Sequence, residues 1–185
     1  MLPRARSTIH HGSVFGEHSS LLVIPNQKGD AHLLTYARPS RLRVRGGGHI
    51  SLSVAHWYDV VEDAPGEWRV RTESYVYTIY DGSGRESFGY HYHPAGVGEA
   101  PISVPHLHIY QDTELCGQYL PKIHLRTGRI ALEDVVELLV TDFDVVPRPR
   151  YAAGEAWRTV LNDARVKFAR LRRWSSWSQL ESDPD

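Results

Sequence analysis

The chain has 185 residues, of which 41% are hydrophobic and 23% charged, and its formal net charge is -1 at pH 7. That balance suits one well-buried domain and excludes a disordered acidic or basic tail, and whole-chain charge makes no case for nucleic-acid binding. A lone cysteine, Cys116, excludes a disulfide framework or a cysteine-built zinc finger.

Residues 1–20 show little periodicity and read as a loosely ordered arm. Met1-Leu2-Pro3-Arg4-Ala5-Arg6 carries charge but leads into no apolar stretch, so no secretory signal is expected. No run approaches the ~20 apolar residues of a membrane span, and the expectation is a cytoplasmic protein with no membrane partner. Leu21-Leu22-Val23-Ile24 and residues 31–36 flank the turn signal Lys28-Gly29-Asp30 and predict a hairpin, which residues 42–45 extend until Gly46-Gly47-Gly48.

From His49 to Val61 the residues Ile50, Leu52, Val54, His56, Tyr58 and Val60 share one parity, the signature of a long strand. Asp63-Ala64-Pro65-Gly66 turns the chain into a second strand over 67–80. Asp81-Gly82-Ser83-Gly84 turns it again into a third over 86–93. Shorter strands are expected at 104–110 and 119–125. Leu132, Val135, Val136, Leu139 and Phe143 then fall at helical spacing, with Glu133 and Asp134 in the first turn. After Pro147 and Pro149, a second helix carries Trp157, Val160, Leu161, Ala164, Phe168 and Leu171 on one stripe. The predicted fold is α+β: a curved antiparallel β-meander covered by two C-terminal α-helices, one domain over 21–174, with a polar tail at 175–185.

The histidines carry the chemistry. In Tyr90-His91-Tyr92-His93 the two imidazoles share one face of a strand, and Pro105-His106-Leu107-His108-Ile109 repeats the arrangement. Leu107 and Ile109 are expected inward and His106 and His108 on the other side. Should the strands neighbour one another, four imidazoles line one patch, with His124 as a fifth. Such a patch can bind a transition metal, act as general acid and base, or simply coat a solvent-facing sheet. Gly89 to His93 followed by Glu99 resembles a cupin's first motif, without a second motif of the right form. Asp112 and Glu114 are further candidate carboxylates.

Metal-free RNA cleavage needs a base, an acid and a cation for the phosphorane charge. Histidines fill the first two roles, and Arg129, at the entry to a helix, is the candidate for the third. The last helix is basic: Arg158, Arg165 and Arg172 recur every seven residues beside Lys167, a stripe able to follow a phosphate backbone or meet an acidic partner. Arg148, Arg150, Lys167, Arg170 and Arg173 add to this charge. Trp174 and Trp177 follow as candidates for docking on the sheet or on a partner chain. Tyr75 and Tyr77 share a strand face and serve either as base-stacking platforms or as a core pair. Cys116 reads as structural.

In order, Tyr75-x-Tyr77-x-Ile79-Tyr80-Asp81-Gly82-x-Gly84-Arg85, Phe88, Tyr90, His93-Pro94, Pro105-His106-x-His108 and the helix opening at 129–136 resemble the TumE family of toxin-antitoxin proteins. The resemblance spans roughly residues 50–143. It implies a bacterial toxin partnered by a cognate antitoxin, with His106 and His108 as motif positions; the longer termini and the basic last helix depart from the family pattern. The leading expectation is a toxin-like ribonuclease acting on RNA, using His106, His108, His91 and His93 with Arg129 and needing no metal or other cofactor. In it Arg158, Arg165, Lys167 and Arg172 contact RNA or the antitoxin. The alternatives are a non-catalytic protein- or nucleic-acid-binding protein and a metal-dependent, cupin-like enzyme; oligomeric state is left open.

Overall fold

The longest elements form where the sequence alternates most regularly. In the computed structural model, which describes residues 7–8, 21–24, 31–94, 102–110, 113–115, 118–120 and 123–169, β5 (His49–Ala64) and β6 (Glu67–Tyr80) make one long antiparallel hairpin. Gly66, at φ +80°, occupies the turn in a conformation that side chains resist. The register slips between Trp57 and Tyr58 and again between Glu62 and Ala64, bulges that bend the strands.

The other strands extend this hairpin on both sides. On one edge, β3 (His32–Tyr36) and β4 (Ser40–Arg43) pair with successive halves of β5. Residues 42–45 therefore do not prolong the β3 hairpin; the chain crosses to the first half of β5 instead. Beyond β3 lie β2 (Leu21–Ile24) and β1 (Ser7–Thr8). The expected loose arm thus contributes Ser7 and Thr8 to the sheet, and the rest of residues 1–20 lie outside the described residues. On the opposite edge come β7 (Glu86–Tyr92), β8 (His106–Ile109) and β11 (Ile123–Arg126). A separate hairpin of β9 (Thr113–Leu115) and β10 (Gln118–Leu120) intervenes between β8 and β11. The predicted strand over 119–125 is therefore two strands. Pro121, which lacks an amide donor, stands between them in the sequence.

Nine strands join the main sheet among the described residues, in the order β1-β2-β3-β5-β6-β7-β8-β11 with β4 beside β5. The expected α+β architecture, an antiparallel meander followed by C-terminal helices, is the observed one.

One face of the sheet is the core. Leu52, Val54, Tyr75, Tyr77 and Ile79, with Leu42, meet Val135 and Leu139 of α1 (Leu132–Thr141) and Val145 beyond it. The Tyr75 and Tyr77 rings stack 4.8 Å apart at 7°, so the pair serves the core and is withdrawn from any base. Ala131 cannot cap α1 with its side chain, but the Asp134 carboxylate accepts the Ala131 N–H at 3.0 Å. The helix ends at Thr141, so Phe143 lies past it and stacks on Phe88, with centroids 5.3 Å apart. A short turn, α2 (Pro149–Ala152), leads through a 3-10 turn to α3 (Ala156–Ala169). Trp157 and Leu161 of α3 are buried, and Arg165 ties it to α1 through Asp134, at 3.1 Å, and Glu137.

Beside this core lies the half-buried His56. The Tyr77 hydroxyl lies 2.8 Å from its Nδ1 and the Thr72 hydroxyl 3.0 Å from its Nε2, so both ring nitrogens are satisfied. Burial lowers its pKa from 6.5 to about 4, because the charged ring would lose its hydration. In the unfolded chain the ring protonates near pH ~6.5. Stability due to the neutral ring is therefore intact above that value and lost as the pH falls toward about 4. The loss is at most about 3 kcal/mol. His56→Gln keeps a donor and an acceptor for the two hydroxyls but does not titrate. Melting temperature followed from pH 7 to 4 should fall more steeply for the wild type than for H56Q; parallel curves would refute the burial argument.

Candidate functional site

The second site of interest lies on the other face of the same sheet, at the β7–β8–β11 edge. Strand alternation sends Phe88, Tyr90 and Tyr92 toward the helices and Gly89 and His91 away from them. Antiparallel register then decides which side chains meet. His91 is paired with His106, Gly89 with His108, His108 with His124, and His106 with Arg126. Paired residues share a face, so four imidazoles from three strands come together.

The rings are in contact. Centroids are 4.0 Å apart for His91 and His108, 4.5 Å for His106 and His108, and 4.2 Å for His108 and His124, the last pair nearly parallel at 8°. His93 stands at the margin, edge-on to His91 at 5.8 Å, its pKa lowered by burial and secondarily by His106. The two predicted His-x-His pairs therefore converge. These rings do not coat a solvent-facing sheet, one of the three alternatives for them: His91, His106 and His108 are 8%, 2% and 5% exposed. Leu107 and Ile109 point to the helix side, where they line a groove with Phe88, Tyr90, Leu138 and Phe143.

Hydrogen bonds orient the rings. His106 Nδ1 lies 2.7 Å from the Val104 carbonyl. A carbonyl only accepts, so Nδ1 carries the proton and donates it; in the neutral ring Nε2 keeps a lone pair. The Tyr110 hydroxyl lies between His108 Nδ1, at 3.0 Å, and His91 Nε2, at 3.3 Å. It holds one proton, so it can donate to only one of the two rings. Burial, with smaller contributions from Glu86 and Tyr80, raises its pKa to about 12, so that proton stays in place at neutral pH. One nitrogen from each of His91, His106 and His108 lies within 4.8 Å of the other two, and among the described residues no carboxylate belongs to this group.

The other predicted site residues lie elsewhere. Arg129 is on the wrong face to assist the histidines: it donates to the Tyr92 hydroxyl at 2.6 Å and covers that ring at 4.0 Å. Tyr92, next to His91 in the strand, faces the helices. The basic stripe is also on the helix side, since α3 packs on α1. Two of its members are engaged, Arg158 with Glu155 at 2.8 Å and Arg165 with Asp134 and Glu137. Lys167 lies on α3. Glu99, Asp112, Cys116, Arg170, Leu171, Arg172, Arg173, Trp174 and Trp177 lie outside the described residues, and Glu114 is in β9. Sequence reasoning missed Tyr110 as the link between two rings and Arg126 as the cation on the histidine face. Alternation within residues 123–126 places His124 and Arg126 together, but only the register with β8 brings them to His106.

No protein family, curated protein or solved structure matches the chain. No helix among the described residues is long and apolar enough to cross a membrane.

Gly89 makes this packing possible. A Cβ there would lie 2.8 Å from the Tyr77 carbonyl oxygen and 3.1 Å from His91 Nε2. The first contact is with backbone and cannot be relieved by a rotamer change. Gly89→Ala should therefore destabilise the protein by about 1–3 kcal/mol in urea unfolding, and a midpoint equal to wild type would show that the rings are not seated as described.

Proposed function

We propose that His91, His106 and His108 are the protein ligands of a divalent transition metal, zinc being the best match, and that the protein is a metal-dependent enzyme. The observation that carries this reading is the convergence of three buried imidazole nitrogens from two adjacent strands. Zinc–nitrogen bonds of about 2.0–2.1 Å hold ligand nitrogens about 3.3 Å apart. Small side-chain rotations would close the present cluster onto an ion. The His106 bond to the Val104 carbonyl is the kind of outer contact that fixes the orientation of a ligating ring. Three histidines leave a fourth position open, the donor count of catalytic zinc sites, where the ion polarises a substrate or activates water.

A second reading has one observation in its favour. His106, His124 and Arg126 line a single cavity, and these are the residue types that metal-free RNA cleavage requires. It retains the ribonuclease of a toxin-antitoxin pair, with Arg126 in the role first given to Arg129. The metal reading is favoured because it accounts for the convergence of buried His91 and His108 with His106, and neither of those two is among the residues lining that cavity.

Elemental analysis after incubation with zinc and gel filtration should find about one ion per chain. The His106→Ala/His108→Ala double variant should retain less than about a tenth of that. A wild type that binds no zinc, nickel or iron(II) overturns the metal reading. RNA cleavage that persists in a chelator and is lost in the double variant would establish the second reading instead.

A further inference from the structure

The cavity beside the histidines has a composition that the metal ligands do not explain. It is a partly open cleft of about 240 Å³ lined by Ile102, Ser103, Val104, His106, His124 and Arg126. One wall is the candidate ligand His106. Arg126 stands directly across the strand pair from it, and His124 lies two residues before Arg126 on the same face.

Arg126 differs from several other arginines of the fold. Arg71 is held by Asp59 and Glu73, Arg85 by Asp81, Arg158 by Glu155 and Arg165 by Asp134 and Glu137. Arg126 is exposed at the cavity, and among the described residues no carboxylate pairs with it. A guanidinium offers a planar fork of donors that matches the two oxygens of a carboxylate or phosphate. His124 and Ser103 add further polar residues to the cavity lining.

We propose that this cavity is the substrate pocket of the metal centre and binds the oxyanion of a small ligand, a carboxylate or a phosphate, through Arg126. The inference rests on the metal reading for the word substrate, but not for the anion itself. The arginine anchors the charged end. The remainder of the ligand extends toward His106, the candidate metal ligand that lines the same cavity. Such a division of labour, one group for charge and another for chemistry, is how small sites orient a ligand with few contacts.

The test uses the full chain, wild type and Arg126→Gln, each zinc-loaded and zinc-free, titrated with inorganic phosphate and with acetate. Binding is followed through the imidazole proton resonances of His106 and His124. The wild type should bind at least one of the two anions saturably, with perturbation of His124. R126Q should weaken that binding at least tenfold while keeping the wild-type zinc content and melting temperature. Phosphate preference assigns a phosphoryl ligand, and acetate preference a carboxylate. Equal anion affinity in R126Q and wild type, or no saturable binding of either anion by the wild type, overturns the proposal. A wild type that takes up no zinc removes the metal reading alone, because the zinc-free arms still decide whether Arg126 holds an anion.

Discussion

The arrangement of this molecule turns on the register between β7 and β8. His91 lies opposite His106 and Gly89 opposite His108. A slip of one residue would send His106 and His108 to the helix side and Leu107 and Ile109 to the other. The register is held from both faces. On the helix side, Leu107 and Ile109 meet Phe88 and Tyr90 along one groove. On the other, the missing side chain of Gly89 leaves room for the His91 ring. The same pairing thus satisfies an apolar surface and assembles a polar one.

The sheet separates two kinds of buried polarity. On the helix side His56, Tyr75 and Tyr77 are satisfied by nearby hydroxyls and backbone: Tyr77 meets His56, and Tyr75 accepts the Ile130 N–H at 3.0 Å. Tyr75 and Tyr77 are buried in the core against α1, and His56 is tied to it through Tyr77. On the far side His106 and His124 line a cavity together with the exposed Arg126. Burial by itself does not distinguish the clusters. The difference is that one is closed by its own helix and the other adjoins a space of ligand size.

Much of the fold was legible because its signals are local. The alternation of Ile50, Leu52, Val54, His56 and Tyr58 and the glycine turns at 66 and 82–84 fix β5, β6 and β7 without reference to anything distant. The spacing of Leu132, Val135 and Leu139 does the same for α1. What eluded the sequence is pairwise. Nothing in residues 104–126 says that a small hairpin intervenes before β11 returns to β8, so Arg126 has no visible tie to His106. Arg129 suits the role of cation by its place at a helix entry, yet the parity of Tyr92 fixes its side of the sheet. The stripe of Arg158 and Arg165 is regular in sequence, but carboxylates on α1 and in the turn before α3 take up two of its charges.

Tyr110 adds a property that none of the histidines has alone. With a single hydrogen to share between two acceptors, it makes the tautomers of His91 and His108 interdependent. If the hydroxyl gives its hydrogen to one ring, the other must supply the hydrogen for the second contact. Through this shared hydroxyl, the hydrogen-bonding role of one imidazole bears on that of the other.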